Sequence, residues 1–161
     1  MKKKILIINR GEIALRILRA CKELGYTAVI AYSEADKTSL PVRLADEALC
    51  IGPGPAQKSY LNTQNIIAAA EISQADLIHP GYGFLSENAS FAEQIEKSGF
   101  KLIGPSSSHI SLMGDKVHAR QFMQSHNIPT VPGSVGVLNQ DKEITKKTAN
   151  LIGYPVLLKA S

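Results

Sequence analysis

Short apolar runs alternate along the chain with longer stretches in which apolar residues recur every third or fourth position. Residues 5–8, Ile-Leu-Ile-Ile, form an uninterrupted run, as in a parallel strand covered on both faces. From Glu12 to Leu24 the pattern turns helical: Ile13, Ala14, Ile17, Leu18, Cys21 and Leu24 make one stripe, and Gly25 supplies a stop. Thr27–Tyr32 returns as a strand, so the opening reads as a β-α-β crossover. The alternation then repeats. A helix capped by Asn62 or Thr63 carries Ile66, Ile67, Ala70 and Ile72, and a strand follows at Asp76–His79. Next come a helix over Asn88–Lys97, ended by Gly99, and a strand at Lys101–Gly104. Residues 1–104 are therefore expected to form an open, doubly wound α/β domain with a parallel sheet.

After Gly104-Pro105 the character changes. Ser106, Ser107 and Ser108 are expected to cap a short helical stretch, and a second helix follows Gly114-Asp115. The segment Ile128-Pro129-Thr130-Val131-Pro132-Gly133-Ser134 reads as an irregular linker. A last helix near 141–152 leads through Gly153-Tyr154-Pro155 into an expected strand from Val156 to Lys159. Residues 105–161 thus read as the beginning of a second domain. Because the sequence stops within that expected strand, a longer polypeptide is expected.

Composition narrows the class only a little. Apolar residues make up 44% and charged residues 20% of 161, which suits a globular core. No run approaches the roughly 20 apolar residues of a membrane span. The basic start Met1-Lys2-Lys3-Lys4 precedes too short an apolar stretch for a signal peptide, so a cytoplasmic protein without a membrane partner is expected. Cys21 and Cys50 show no metal spacing and are read as reduced core residues. The net charge of +4 is scattered among acids and fits anionic small molecules as well as nucleic acid; no nucleic-acid partner is expected.

Candidate chemistry collects at the turns. Asn9-Arg10-Gly11-Glu12 lies where a dinucleotide fold carries G-x-G-x-x-G, but only one of those glycines is present, which argues against a nicotinamide dehydrogenase. Without that loop, Glu34 and Asp36 are expected to be solvated turn residues. The string His79-Pro80-Gly81-Tyr82-Gly83-Phe84-Leu85-Ser86-Glu87-Asn88 falls between a strand and a helix, at the sheet's carboxyl edge where such folds bind ligands. Its glycines place Tyr82 on a tight turn, Ser86 is a candidate N-cap, and the turn is either a site or a structural turn that buries Phe84 and Leu85. His79 is expected to be a satisfied core histidine. Lys116 breaks a local rule, as a cation in a helix's first turn, and is read either as a functional residue or as a surface lysine paired with Asp115. Lys159 ends the apolar run Pro155-Val156-Leu157-Leu158, where a lysine either meets an anionic partner such as phosphate or reaches solvent from the strand end. On the first helix, Arg16, Arg19, Lys22 and Glu23 line the outer face, with Arg19 and Glu23 spaced to pair; the face is read as solvated, with a subunit contact as the alternative.

Several strings together resemble one family. Asn9-Arg10-Gly11-Glu12-Ile13-Ala14, Ala45-Asp46-Glu47-Ala48, His79 through Asn88, Ile103-Gly104-Pro105, Gly114-Asp115-Lys116 and Tyr154-Pro155-Val156-Leu157-Leu158-Lys159-Ala160 occur in that order in biotin-dependent carboxylases. The strings resemble those of the biotin carboxylase subunit of bacterial acetyl-CoA carboxylase, and the biotin carboxylase domains of pyruvate and acyl-CoA carboxylases share them. Other ATP-grasp ligases, such as carbamoyl-phosphate or purine-pathway enzymes, resemble the front domain and paired lysines but not the ten-residue string. A nucleotide-binding or interaction module without chemistry is a further alternative.

The resemblance implies a Rossmann-like domain followed by the start of an ATP-grasp domain. It implies a ligase that carboxylates biotin on a carrier protein, using bicarbonate and ATP with Mg2+ (or Mn2+), through carboxyphosphate, in fatty-acid synthesis. By position it makes Lys116 and Lys159 nucleotide-binding, puts Tyr82 and Gly83 on a biotin-side loop, and makes Arg19 and Glu23 contacts of a homodimer. Biotin carboxyl carrier protein and carboxyltransferase subunits are the implied partners. Catalytic and metal-binding residues are expected outside these 161 residues, which are expected to be inactive alone.

Overall fold

The computed structural model describes residues 2–134, 136–138 and 141–158. They divide into two compact units, Met1–Ile110 and Ser111–Ser161. The first unit holds a five-stranded, all-parallel sheet. Its strands are β1 (Lys4–Ile7), β2 (Thr27–Ser33), β3 (Glu47–Gly52), β4 (Leu77–His79) and β5 (Lys101–Leu102), in the spatial order β3-β2-β1-β4-β5. Four helices of this unit are α1 (Gly11–Glu23), α2 (Leu40–Leu44), α3 (Thr63–Ser73) and α4 (Ala89–Lys97).

Strand β1 is central and apolar because both of its faces are covered. Ile5 and Ile7 pack with Ala14, Leu18 and Cys21 of α1 and with Ala28 and Ile30 of β2. Leu6 and Ile8 face the opposite layer, where Ile66, Ala69 and Ala70 of α3 meet Phe91, Ala92 and Ile95 of α4. Alternate residues of one strand thus feed two cores, as expected of a doubly wound sheet.

The expected elements of this unit are present with small shifts in their ends. Strand β3 was not anticipated. It is an edge strand whose sequence, Glu47-Ala48-Leu49-Cys50-Ile51-Gly52, leaves Glu47 and Cys50 exposed, so it lacks the buried signature of β1 and β2. Cys50 is therefore a surface thiol rather than a core residue, whereas Cys21 is buried; both are free. Leu24 and Ile72, counted among the apolar stripes, are exposed at helix ends.

The second unit contains α6 (Lys116–Ser125) and α7 (Lys142–Ile152), and α5 (Ser107–Gly114) runs across the division between the units. The expected linker, 128–134, is irregular. Arg120 organises it by donating to the carbonyls of Ser134 at 2.7 Å and Gly133 at 2.9 Å. The strand expected from Val156 is not formed over 156–158, where Leu157 and Leu158 lie exposed without a neighbouring strand among the described residues. Lys159 lies outside the described residues.

Candidate functional site

Strand order reverses between β1 and β4, each of which neighbours the other and one further strand on its outer side. Ligands of open α/β folds bind beyond the carboxyl ends of the strands at such a reversal. Two segments meet there: Asn9-Arg10, leaving β1, and residues 80–88, leaving β4. The Ile8 amide donates to the His79 carbonyl at 3.0 Å, which carries the β1–β4 ladder up to the edge.

Asn9, only 3% exposed, joins the two segments. Its Nδ2 donates to the carbonyls of Pro80 and Tyr82, both at 2.9 Å, and its Oδ1 accepts from the Arg10 amide at 2.9 Å. A Cβ at Gly81 would come within 2.6 Å of Asn9 Nδ2, so glycine permits this approach. Gly81, Gly83 and Phe84 all have positive φ, at 75°, 67° and 49°. In glycine that costs little, but in phenylalanine it is strained and requires fixing by the surroundings.

The fixing partner is Tyr60. Its ring stacks on Phe84 with centroids 5.3 Å apart and planes 8° from parallel. The Tyr60 hydroxyl donates to Asp36 Oδ2 at 2.8 Å and accepts from the Ser33 amide at 3.1 Å. Asp36 also accepts from Ser33 Oγ at 2.7 Å and pairs with Arg10 Nη2 at 2.8 Å, and the Arg10 guanidinium lies 5.9 Å from the centre of the Tyr60 ring. Burial pushes the Tyr60 hydroxyl up to about 12, with the Asp36 carboxylate adding to the rise against the Ser33 amide, so it stays a donor. Asp36 is thus not a solvated turn residue but the hub of a network tying β1, β2 and the 80–88 loop. Its position after β2 gave a signal; Tyr60, a lone aromatic in a loop, gave none.

The sequence candidates on this loop fall as follows. Tyr82 projects outward, 76% exposed, beside Gly83. Leu85 is buried, whereas Phe84 is exposed on one face and stacked on the other. Ser86 is not the helix cap. Asn88 is, with its side-chain oxygen accepting from the Phe91 amide at 2.9 Å. His79 is half-buried; its Nδ1 accepts from the Gly81 amide at 3.0 Å, and burial lowers its pKa, so a neutral imidazole helps shape the turn.

On α1, Arg19 and Glu23 are exposed and form no ion pair with each other. Lys22 instead reaches the Leu44 carbonyl at 2.6 Å and Asp46 at 4.0 Å. Beside this helix an apolar groove of about 530 Å3 is lined by Ile5, Ile17, Leu24, Tyr26, Leu77 and Ile103.

In the second unit, exposed Lys116 is the first residue of α6. Asp115 caps that helix, with Oδ1 accepting from the amides of His118 at 2.8 Å and Val117 at 2.9 Å. The His118 amide bond foremost holds the Asp115 carboxyl below its usual range, and its negative charge offsets the unfavourable cation at the helix start. Among the described residues no three His, Cys, Asp or Glu side chains gather as around a metal.

Comparison with known proteins decides the family. Residues 1–110 match the model described as biotin carboxylase, N-terminal domain. The chain belongs to the biotin carboxylase family. Residues 115–161 match the model described as carbamoyl-phosphate synthase L chain, ATP binding domain. Over all 161 residues the chain is 59% identical to the biotin carboxylase of Haemophilus influenzae and 58% to that of Pseudomonas aeruginosa. It spans 36% of the length of each of these biotin carboxylases.

Solved structures agree. The biotin carboxylase domain dimer of Hydrogenobacter thermophilus 2-oxoglutarate carboxylase, in complex with MgADP, ADP and bicarbonate, matches with TM-score 0.90 and 51% identity, over 100% of this chain and 35% of that one. A Campylobacter jejuni biotin carboxylase–nucleotide complex matches with TM-score 0.89 and 54% identity, over 96% and 34%. The biotin carboxylase subunit of a pyruvate carboxylase matches with TM-score 0.80 and 53% identity, over 100% and 35%.

Proposed function

We propose that the polypeptide carrying this chain transfers a carboxyl group from bicarbonate to the ureido N1 of biotin on a carrier protein, at the expense of ATP. The observation that carries this reading is the HPGYGFLSEN loop at the strand-order reversal, with Tyr82 exposed at its tip. In this reading residues 1–104 supply the platform and its biotin-side loop, with Tyr82 and Gly83 facing the bicyclic ring. Residues 105–161 begin the ATP-grasp unit. Lys116 and Lys159 act there as point charges on the nucleotide phosphates, offsetting the charge that builds as the γ-phosphoryl group moves to bicarbonate. The resulting carboxyphosphate delivers its carboxyl group to biotin. The Mg2+ (or Mn2+) that accompanies the nucleotide would be held by residues other than those described. Exposed Arg19 and Glu23 on α1 suit a contact with a second subunit.

The proposed setting is acetyl-CoA carboxylase in fatty-acid synthesis, in the cytoplasm, with biotin carboxyl carrier protein and carboxyltransferase subunits as partners. Supplying the carboxylated carrier to carboxyltransferases for acetyl-CoA, pyruvate and 2-oxoglutarate tests the acceptor directly.

The assignment of the lysines is tested by ATP-dependent carboxylation of free biotin by the complete polypeptide. Lys116→Ala and Lys159→Ala should each raise the KM for ATP by about tenfold or more, the loss of roughly one charge-assisted contact. Unchanged ATP affinity in both variants would overturn it.

A further inference from the structure

We propose that Asn9 and the Tyr60–Phe84 stack are positioning elements that hold the Tyr82–Gly83 loop in the shape that receives the ureido ring of biotin. This rests on the biotin-side reading of that loop and adds residues that touch the loop rather than the substrate. Three observations converge on it. Asn9 is buried and spends both amide hydrogens on loop carbonyls, Pro80 and Tyr82, which flank Gly81. Phe84 keeps a left-handed backbone, with φ of 49°, that its side chain alone does not favour. The ring that it stacks on is anchored at its far end by Asp36 and Ser33.

The exposed tip is therefore held on both sides. Asn9 grips the carbonyls before and at Tyr82, and Tyr60 grips the side chain after Gly83. Asn9 meets the loop at its backbone carbonyls and Tyr60 meets it at the Phe84 ring, so their effect on biotin is assigned to the loop's shape. A site that must place N1 of biotin for attack gains from such pre-organisation, because about 1 Å of misplacement can cost roughly a hundredfold in rate.

The test uses the complete polypeptide that carries this chain. For Asn9→Ala, Phe84→Leu, Phe84→Tyr and Tyr82→Ala, four quantities are measured: KM for free biotin, KM for ATP, bicarbonate-dependent ATP hydrolysis without biotin, and amide exchange over residues 80–86. Asn9→Ala and Phe84→Leu should raise the biotin KM by roughly tenfold, while ATP parameters stay within about twofold. Exchange over the loop should quicken in both. Phe84→Tyr, which keeps the stack, should behave as the parent.

An unchanged biotin KM in both Asn9→Ala and Phe84→Leu, beside a raised one in Tyr82→Ala, overturns the inference and leaves the biotin-side reading standing. A parallel loss of ATP parameters also overturns it, since that marks a general structural role. If Tyr82→Ala leaves the biotin KM unchanged, the biotin-side reading has failed. Loop exchange then decides alone: quickened exchange keeps the positioning role, and unchanged exchange removes it. Should Asn9→Ala fail to fold, the contrast between Phe84→Leu and Phe84→Tyr becomes the deciding measurement.

Discussion

At His79 a single side chain links the sheet to the loop, because its Nδ1 accepts from the Gly81 amide while burial lowers its pKa from 6.5. A histidine with a depressed folded pKa binds fewer protons folded than unfolded. Its contribution is complete above the ordinary histidine range and is lost as pH falls below it. Melting midpoints of the complete polypeptide from about pH 8 to about pH 5 should therefore fall more steeply for the parent than for His79→Gln, which keeps an acceptor without the titration. Equal slopes would show that His79 contributes nothing to the pH dependence. That histidine was read as a core residue because it closes an apolar strand, whereas it is only half-buried. Asp36 was not readable as a hub, since its partners Arg10 and Tyr60 come from 26 and 24 residues away.

Among the elements, helix starts show where local sequence suffices and where it misleads. Asn62 caps α3 as expected, accepting from the Asn65 amide at 3.1 Å. At α4 Ser86 offered an equally good local signal. The loop's run of left-handed residues delays the helix, however, and Ser86 closes a turn through its own amide to the Gly83 carbonyl at 3.0 Å. Asn88→Ala should cost about 1 kcal/mol in denaturant unfolding, and Ser86→Ala clearly less. The reverse order would restore Ser86 as the cap. Strand β3 was missed for a related reason: an edge strand half open to water carries a weak apolar pattern. The strand expected from Val156 to Lys159 shows the converse over its described part, 156–158, since an apolar run becomes a strand only where a neighbour is present to pair with it.

For the whole molecule, the doubly wound sheet and its carboxyl-edge loop were legible because apolar periodicity and glycine placement are local properties. The loop's supports were not, because they join β1, β2 and β4 through contacts made only after folding. The first unit carries a two-layered core, and the chain spans 36% of the length of the Haemophilus influenzae biotin carboxylase. The 161-residue chain alone is accordingly expected to release no phosphate from ATP in the presence of bicarbonate, with or without biotin. Biotin-stimulated phosphate release above a buffer control would refute this.

The central place of β1 also has a consequence in time. Its Lys4 amide is satisfied by Asp76, 72 positions later, and its whole β4-side edge waits for that same stretch of polypeptide. At roughly 5–20 residues per second, a ribosome takes on the order of ten seconds to make that interval. Once β2 has been made, and until β4 follows, the nascent Ile5–Ile8 segment has β2 to zip against but an open flank on the other side, the kind of apolar edge that chaperones bind and that neighbouring chains on a polysome can invade.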